Sequence, residues 1–189
     1  MNSRIRRLAA TLAATVGTTL GVTLTNATPA AAAMTICYDA SQAPSFVSYA
    51  NQAASIWNNA TDNLNLVAGC GTHLRIYQIT GGGSYAVRTS LGRGAVYIDT
   101  LQARQYYPLR IMTHEIGHIL GLPDNYNGDC RILMSGGSAG TSCTNPYPSA
   151  AEAARVTQLF AGTRVGVNRD ATDARVFADS WPAVLAPVG

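Results

Sequence analysis

His114-Glu115-Ile116-Gly117-His118-Ile119-Leu120-Gly121-Leu122-Pro123-Asp124 is the stretch that organises the rest of this chain. The apolar residues Ile111, Met112, Ile116, Ile119 and Leu120 predict a helix from Leu109 to Leu120. His114 and His118, four positions apart, share one face of it. Both imidazoles can therefore reach a single zinc ion, at bonds of about 2.0–2.1 Å, while Glu115 points toward the water that such an ion binds. Two histidines at this spacing also arise by chance on polar helix faces, and the extension is what gives the pattern weight. Gly121 permits a left-handed exit turn and Pro123 cannot continue the helix, so the chain stops and returns. Asp124 then stands where a third ligand is needed. Three protein ligands leave the fourth position of a tetrahedral ion open, as catalytic sites require and closed structural sites do not. His73, the remaining one of the chain's 3 histidines, lies outside this set and reads as a surface or strand residue.

The chemistry of those residue types is amide hydrolysis. Zinc polarises a carbonyl and brings the pKa of its water to about 7, and Glu115 is placed to take that water's proton and pass it to the leaving amine. Two other functions use the same ligands: a secreted zinc-binding domain without catalysis, and a zinc amidohydrolase acting on a non-protein substrate. The lack of a fourth protein ligand argues against the first.

Around this core the chain reads as an exported protein. Arg4, Arg6 and Arg7 precede an uncharged run rich in Leu, Ala, Val and Thr that ends at Ala30-Ala31-Ala32-Ala33, the pattern of a signal peptide over residues 1–33. Its removal leaves 156 of the 189 residues, enough for one monomeric domain with its own core and no retained membrane segment. All 13 basic residues are arginine, and three fall in the leader, so the remaining ten balance the 10 acids. A neutral chain carries no electrostatic footprint for nucleic acid. The 4 cysteines, Cys37, Cys70, Cys130 and Cys143, all follow the leader and predict two disulfides. Of the three connectivities, Cys130 with Cys143 is favoured because it closes a short Gly/Ser-rich loop, which leaves Cys37 to tie the first strand to the region after Leu66.

Strands are expected at Met34 to Tyr38, Leu64 to Val67, Leu74 to Ile79 and Gly94 to Thr100, the last as a sheet edge able to receive an extended peptide. A helix from Ser45 to Asn59 places Phe46 and Trp57 in the core. Gly81-Gly82-Gly83 reads as a flexible surface loop, and the Gly/Ser/Asn/Pro-rich stretch from Asn125 to Pro148 as irregular. Ser149, with Glu152 three residues on, predicts the start of a last helix running to about Phe160. The result is an α+β domain over residues 34–162: a twisted sheet of four or five strands, mostly parallel with one antiparallel edge, backed by a catalytic helix and a C-terminal helix. Residues 163–189 form an extension of unknown role, folded back on the domain or partly disordered.

The run YDASQAPSFVSYANQAASIWN (38–58), the zinc run THEIGHILGLPDNY (113–126), CRILMSGG (130–137) and SCTNPYP (142–148) resemble the snapalysins, small neutral metalloproteases secreted by bacteria and minimal relatives of the metzincins. The resemblance extends from about Thr35 to Ala161. It implies a metzincin-like fold, one zinc ion, and protein or peptide substrates cut before an aromatic residue. It also implies that Met134 is the methionine of a Met-turn beneath the zinc, that Cys130 and Cys143 bracket that turn, and that the Tyr126 hydroxyl donates to the developing oxyanion. The family binds calcium as well, but the positions just before the catalytic helix are here Tyr107, Pro108 and Leu109, which lack the oxygen ligands a hard cation needs.

Overall fold

Buried and exposed positions alternate along the strands, and this alternation gives the sheet one core face. In β1 (Met34–Gln42), β2 (Leu64–Ala68), β3 (Leu74–Ile79) and β5 (Arg93–Asp99) the residues Ile36, Tyr38, Leu64, Leu66, Leu74, Ile76, Val96 and Ile98 are buried. Asn65 and Arg75, between them in sequence, are exposed. The computed structural model describes residues 33–162 and 175–178, so the leader and most of the extension lie outside the described residues. With β4 (Tyr85–Ser90) and β6 (Arg175–Ala178) the sheet has six strands in the order β2-β1-β3-β5-β4-β6. The first four are mutually parallel, β4 is antiparallel to β5, and β6 is antiparallel to β4. Sheets of parallel strands are usually covered on both faces. Here the second face instead carries a row of half-buried rings, Tyr77 stacked on Tyr97 at 5.1 Å and Tyr97 on Tyr85 at 4.4 Å.

Helices α1 (Val47–Ala60) and α2 (Pro108–Ile119) pack on the core face and against each other. Trp57 of α1 is fully buried and its indole Nε1 donates to the carbonyl of Thr113 on α2 at 3.0 Å, which satisfies the one polar atom of a large ring and registers the two helices. Pro108 opens α2, where its missing N–H costs nothing. Every residue from Leu109 to Ile119 is buried, so α2 is a central helix with no solvent face. Helix α3 (Ala150–Gly162) begins with the anticipated reciprocal cap: Ser149 N donates to Glu152 Oε2 at 2.6 Å and Glu152 N to Ser149 Oγ at 3.3 Å.

The α+β class with a mixed sheet agrees with the reading of the sequence, with corrections at the edge. The strand at Gly94 is interior, between β3 and β4, and not an edge. The antiparallel strand there is Tyr85–Ser90, which periodicity did not reveal because its core-facing positions are Ala86 and Arg88 rather than large apolar residues. The sheet has six strands and not four or five because part of the extension joins it. The triple glycine is anchored: Gly81 N and Gly83 N donate to the two carboxylate oxygens of buried Asp99 at 2.8 and 3.0 Å. The stretch after Asn125 contains a 3-10 segment, Leu133–Ala139, bent at Gly136. No helix among the described residues is long and apolar enough to cross a membrane.

Disulfides join Cys37 to Cys70 and Cys130 to Cys143, the latter across a separation of 13 residues. Closing a loop of that size restricts the unfolded chain by about 3 kcal/mol. The double substitution Cys130→Ala with Cys143→Ala is expected to lower unfolding stability by about 2–4 kcal/mol in urea titration, with the sheet's far-ultraviolet signature retained.

Candidate metal centre

The helix, its exit turn and the segment beneath it build one site. Along α2 the imidazoles of His114 and His118 lie edge to face, with centroids 4.8 Å apart and an interplanar angle of 89°. Both are fully buried. Gly121 ends the helix with a φ of 104°, and its N–H and that of Leu122 return to the carbonyls of His118 and Gly117, each at 3.0 Å. This turn brings the carbonyl of Leu122 to within 2.9 Å of His118 Nδ1 and delivers Asp124 to the Nε2 side of both rings. Asn125 N then donates to Met134 O at 2.8 Å, which ties the returning loop to the segment under the helix.

Hydrogen bonding decides the tautomers. His114 Nδ1 faces the carbonyl of Leu133 at 3.0 Å and His118 Nδ1 that of Leu122. A carbonyl only accepts, so each Nδ1 is the donor there and each ring turns its Nε2 toward Asp124. Those two nitrogens are 3.1 Å apart, and Asp124 Oδ1 lies 3.4 Å from one and 3.3 Å from the other. Three groups that can each offer a lone pair to a cation thus converge on one point. A tetrahedral ion with bonds of about 2.0–2.1 Å has edges of about 3.3–3.4 Å between its donors. The donor set therefore fits a metal of zinc's size and preferences, and His114, His118 and Asp124 are the one such group among the described residues. The two rings are wholly buried whereas the Asp124 side chain is 24% exposed, so the open side of the centre lies toward the loop.

The residues around this centre explain its rigidity. Met134 is buried, and a Cβ built on Gly117 would lie 2.9 Å from its sulfur and 3.3 Å from Trp57, so the thioether packs directly against the backbone between the two histidines. Gly136, at a φ of 53°, sits where a Cβ would lie 3.2 Å from both the His114 ring and the Tyr126 ring. That close approach places Tyr126, itself 44% exposed, beside the ligand histidine. Glu115 is fully buried. His73 serves structure: its Nδ1 accepts from Cys37 N at 3.1 Å.

Two residues in this assembly were not singled out from the sequence. Arg110, one turn before His114, is buried, and its guanidinium donates to the carbonyls of Asn145 at 2.6 Å, Ile132 at 2.8 Å and Leu133 at 3.2 Å and to Ser135 Oγ at 3.0 Å. Burial lowers its pKa and Glu152 pushes the other way. Glu152, read only as a helix cap, also accepts from Leu133 N at 3.1 Å and Met134 N at 2.8 Å. A charged residue at i−4 to a ligand on an otherwise apolar helix was the signal available for Arg110. The third unforeseen neighbour is Phe177 of β6, stacked on the His118 ring at 4.4 Å and 12°, and nothing local in the sequence marks it.

A mixed sheet with an antiparallel strand over a two-histidine helix, a returning carboxylate loop and a methionine packed beneath is a metzincin-like domain. Residues 33–163 match the Streptomyces extracellular neutral proteinase (M7) family. The chain belongs to that family, as the resemblance to snapalysins implied. It is 47% identical to the extracellular small neutral protease of Streptomyces coelicolor over 136 residues, 71% of this chain and 63% of that one. It is 46% identical to the protein of the same description from Streptomyces lividans over 134 residues, 70% of this chain and 59% of that one. The corresponding Streptomyces caespitosus protein is 47% identical over 129 residues, which cover 68% of this chain and 98% of the relative. The chain thus spans about three fifths of the first two relatives, and β6 lies beyond the matched residues.

Arg110→Leu removes the donors to these loop carbonyls at once. Charge-assisted hydrogen bonds contribute about 1.5–3 kcal/mol each, so the expected loss is at least about 3 kcal/mol in urea unfolding. Zinc titration of the surviving folded fraction is expected to show weaker binding, because the Leu133 carbonyl that orients the His114 ring is no longer held by a guanidinium.

Proposed function

We propose that this chain is a secreted, monomeric, zinc-dependent endopeptidase, with residues 1–33 as a removed leader, 34–162 as the catalytic domain and 163–189 as an extension. One observation carries the reading: His114, His118 and Asp124, the two rings oriented by backbone carbonyls, converge on one point on a helix whose next residue after His114 is the buried Glu115. Membership of a family described as extracellular neutral proteinases supports hydrolysis of peptide bonds and an extracellular location.

In this reading His114, His118 and Asp124 hold zinc. Bound there, zinc supplies Lewis acidity toward the scissile carbonyl and toward water. Glu115 takes a proton from the attacking water as the new C–O bond forms, and delivers it to the amine nitrogen as the C–N bond breaks. The Tyr126 hydroxyl, on the exposed rim beside His114, donates to the carbonyl oxygen as it gains negative charge. The Leu133 and Leu122 carbonyls hold the histidine rings in the orientation that turns Nε2 toward the ion's place, and Met134 packs against the helix between them. By the family resemblance, substrates are proteins or peptides with an aromatic residue just after the scissile bond.

The purified chain is expected to carry one zinc and to cleave casein, with cleavage lost to a chelator and restored by zinc. Glu115→Ala is expected to retain zinc while kcat falls by about 10²–10⁴-fold. Tyr126→Phe is expected to lower kcat by about 10²-fold with little change in KM, since its contact strengthens only as charge develops. Bound zinc without cleavage of any protein would instead favour a binding domain or a hydrolase of non-protein amides.

A further inference from the structure

Strand β4 runs alongside the metal centre. Its Arg88 is buried, and Nη1 donates to the carbonyl of the ligand His118 at 3.0 Å. One side of β4 is paired with β5 and the other with β6, in the register Tyr85 with Ala178, Ala86 with Phe177, Val87 with Val176 and Arg88 with Arg175. An extended peptide reaching the centre by adding to this sheet would need the ladder positions that β6 now fills. Side-chain placement points the same way. Phe177 and Arg175 face the side of Ala86 and Arg88, toward α2, and the Phe177 ring stacks on the His118 ring at 4.4 Å between centroids, with the Arg88 guanidinium carbon 5.1 Å from its own centroid. Val176 on the opposite face is 67% exposed.

We propose that β6 is an intramolecular competitor: the chain's own extension occupies the peptide-accepting edge of β4 and lays Phe177 against a metal-ligand histidine, so that substrate binds only when β6 leaves. The inference rests on the peptidase reading given above. The closure is built to be reversible. Four residue pairs hold it among the described residues, and of its side chains Arg175 and Val176 are exposed and Phe177 is only partly buried. An occupant of this kind lowers the competent fraction of the enzyme without touching the chemistry. It therefore raises KM and leaves kcat alone.

Two measurements on the zinc-loaded full-length chain test this. In the first, kinetics on a fluorogenic peptide are compared for the parent, for Phe177→Ala, and for a chain cut after folding at a specific protease site introduced within residues 163–174. If the strand covers the edge nine tenths of the time, KM falls about tenfold in both altered forms with kcat unchanged. An unchanged or higher KM in both overturns the proposal, and the cut form serves if Phe177→Ala fails to fold. In the second, hydrogen exchange of the amides of residues 175–178 is followed in Glu115→Gln with uncleaved peptide in excess. Loss of protection supports displacement; protection unchanged at saturating peptide overturns it. Displacement of β6 by a peptide that the parent enzyme never cleaves would defeat the peptidase reading alone, and cleavage with β6 still protected would defeat the competitor alone.

Discussion

The carbonyl oxygen of Leu133 is the point on which the metal centre depends. It accepts from His114 Nδ1 at 3.0 Å and from Arg110 Nη2 at 3.2 Å, so one oxygen sets a ligand's tautomer while a cation on the same helix holds that oxygen in place. From the other side Glu152 takes the amides of Leu133 and Met134. The segment is thus suspended between a guanidinium gripping its carbonyls and a carboxylate gripping its amides. Burying either charge alone would cost several kcal/mol, and it is the backbone dipoles of this buried turn, together with the opposite charge beyond them, that offset that cost.

This arrangement divides the work among the ligands. The two histidines come from the middle of a helix with no solvent face, where position and orientation are set by packing and by two backbone carbonyls. The aspartate comes from a loop, and its place follows from the Gly121 exit turn and from the bond between Asn125 N and Met134 O. Rigid parts supply the costly desolvated nitrogens, and the partly exposed carboxylate closes the set on its loop side. The methionine beneath, in contact with the glycine between the histidines, prevents the helix from settling deeper. A larger residue at either place would have to move the other.

Sheet topology then determines how the centre meets the outside. Because the strand beside α2 is tied through Arg88 to the carbonyl of His118 near the end of that helix, β4 and α2 form one mechanical unit. A cation at a helix C-terminus is also electrostatically favourable there, which offsets part of the burial that lowers the Arg88 pKa. On the far side of β4 the strand Arg175–Ala178 adds to the sheet.

Short-range pattern accounted for the helix that carries His114 and His118, its stop at Gly121 and the return that brings Asp124 to them, because residues four to ten positions apart on a helix and its exit turn are placed by local geometry that no distant contact needs to supply. The helix cap at Ser149 and Glu152 and the strand at Leu74 were legible for the same reason. Residues whose partners lie far along the chain were not. Arg110 meets Leu133 across 23 positions and Glu152 meets it across 19, while β4 hides behind Ala86 and a buried arginine whose partner is a helix end 30 positions away. The second function of Glu152, the interior place of the Gly94 strand and the seating of Phe177 on His118 were decided only in three dimensions. Each is a pairing between polar atoms, strands or rings that many other registers of the same sequence would satisfy equally well locally, and only the packing of the whole sheet against α1 and α2 selects among them.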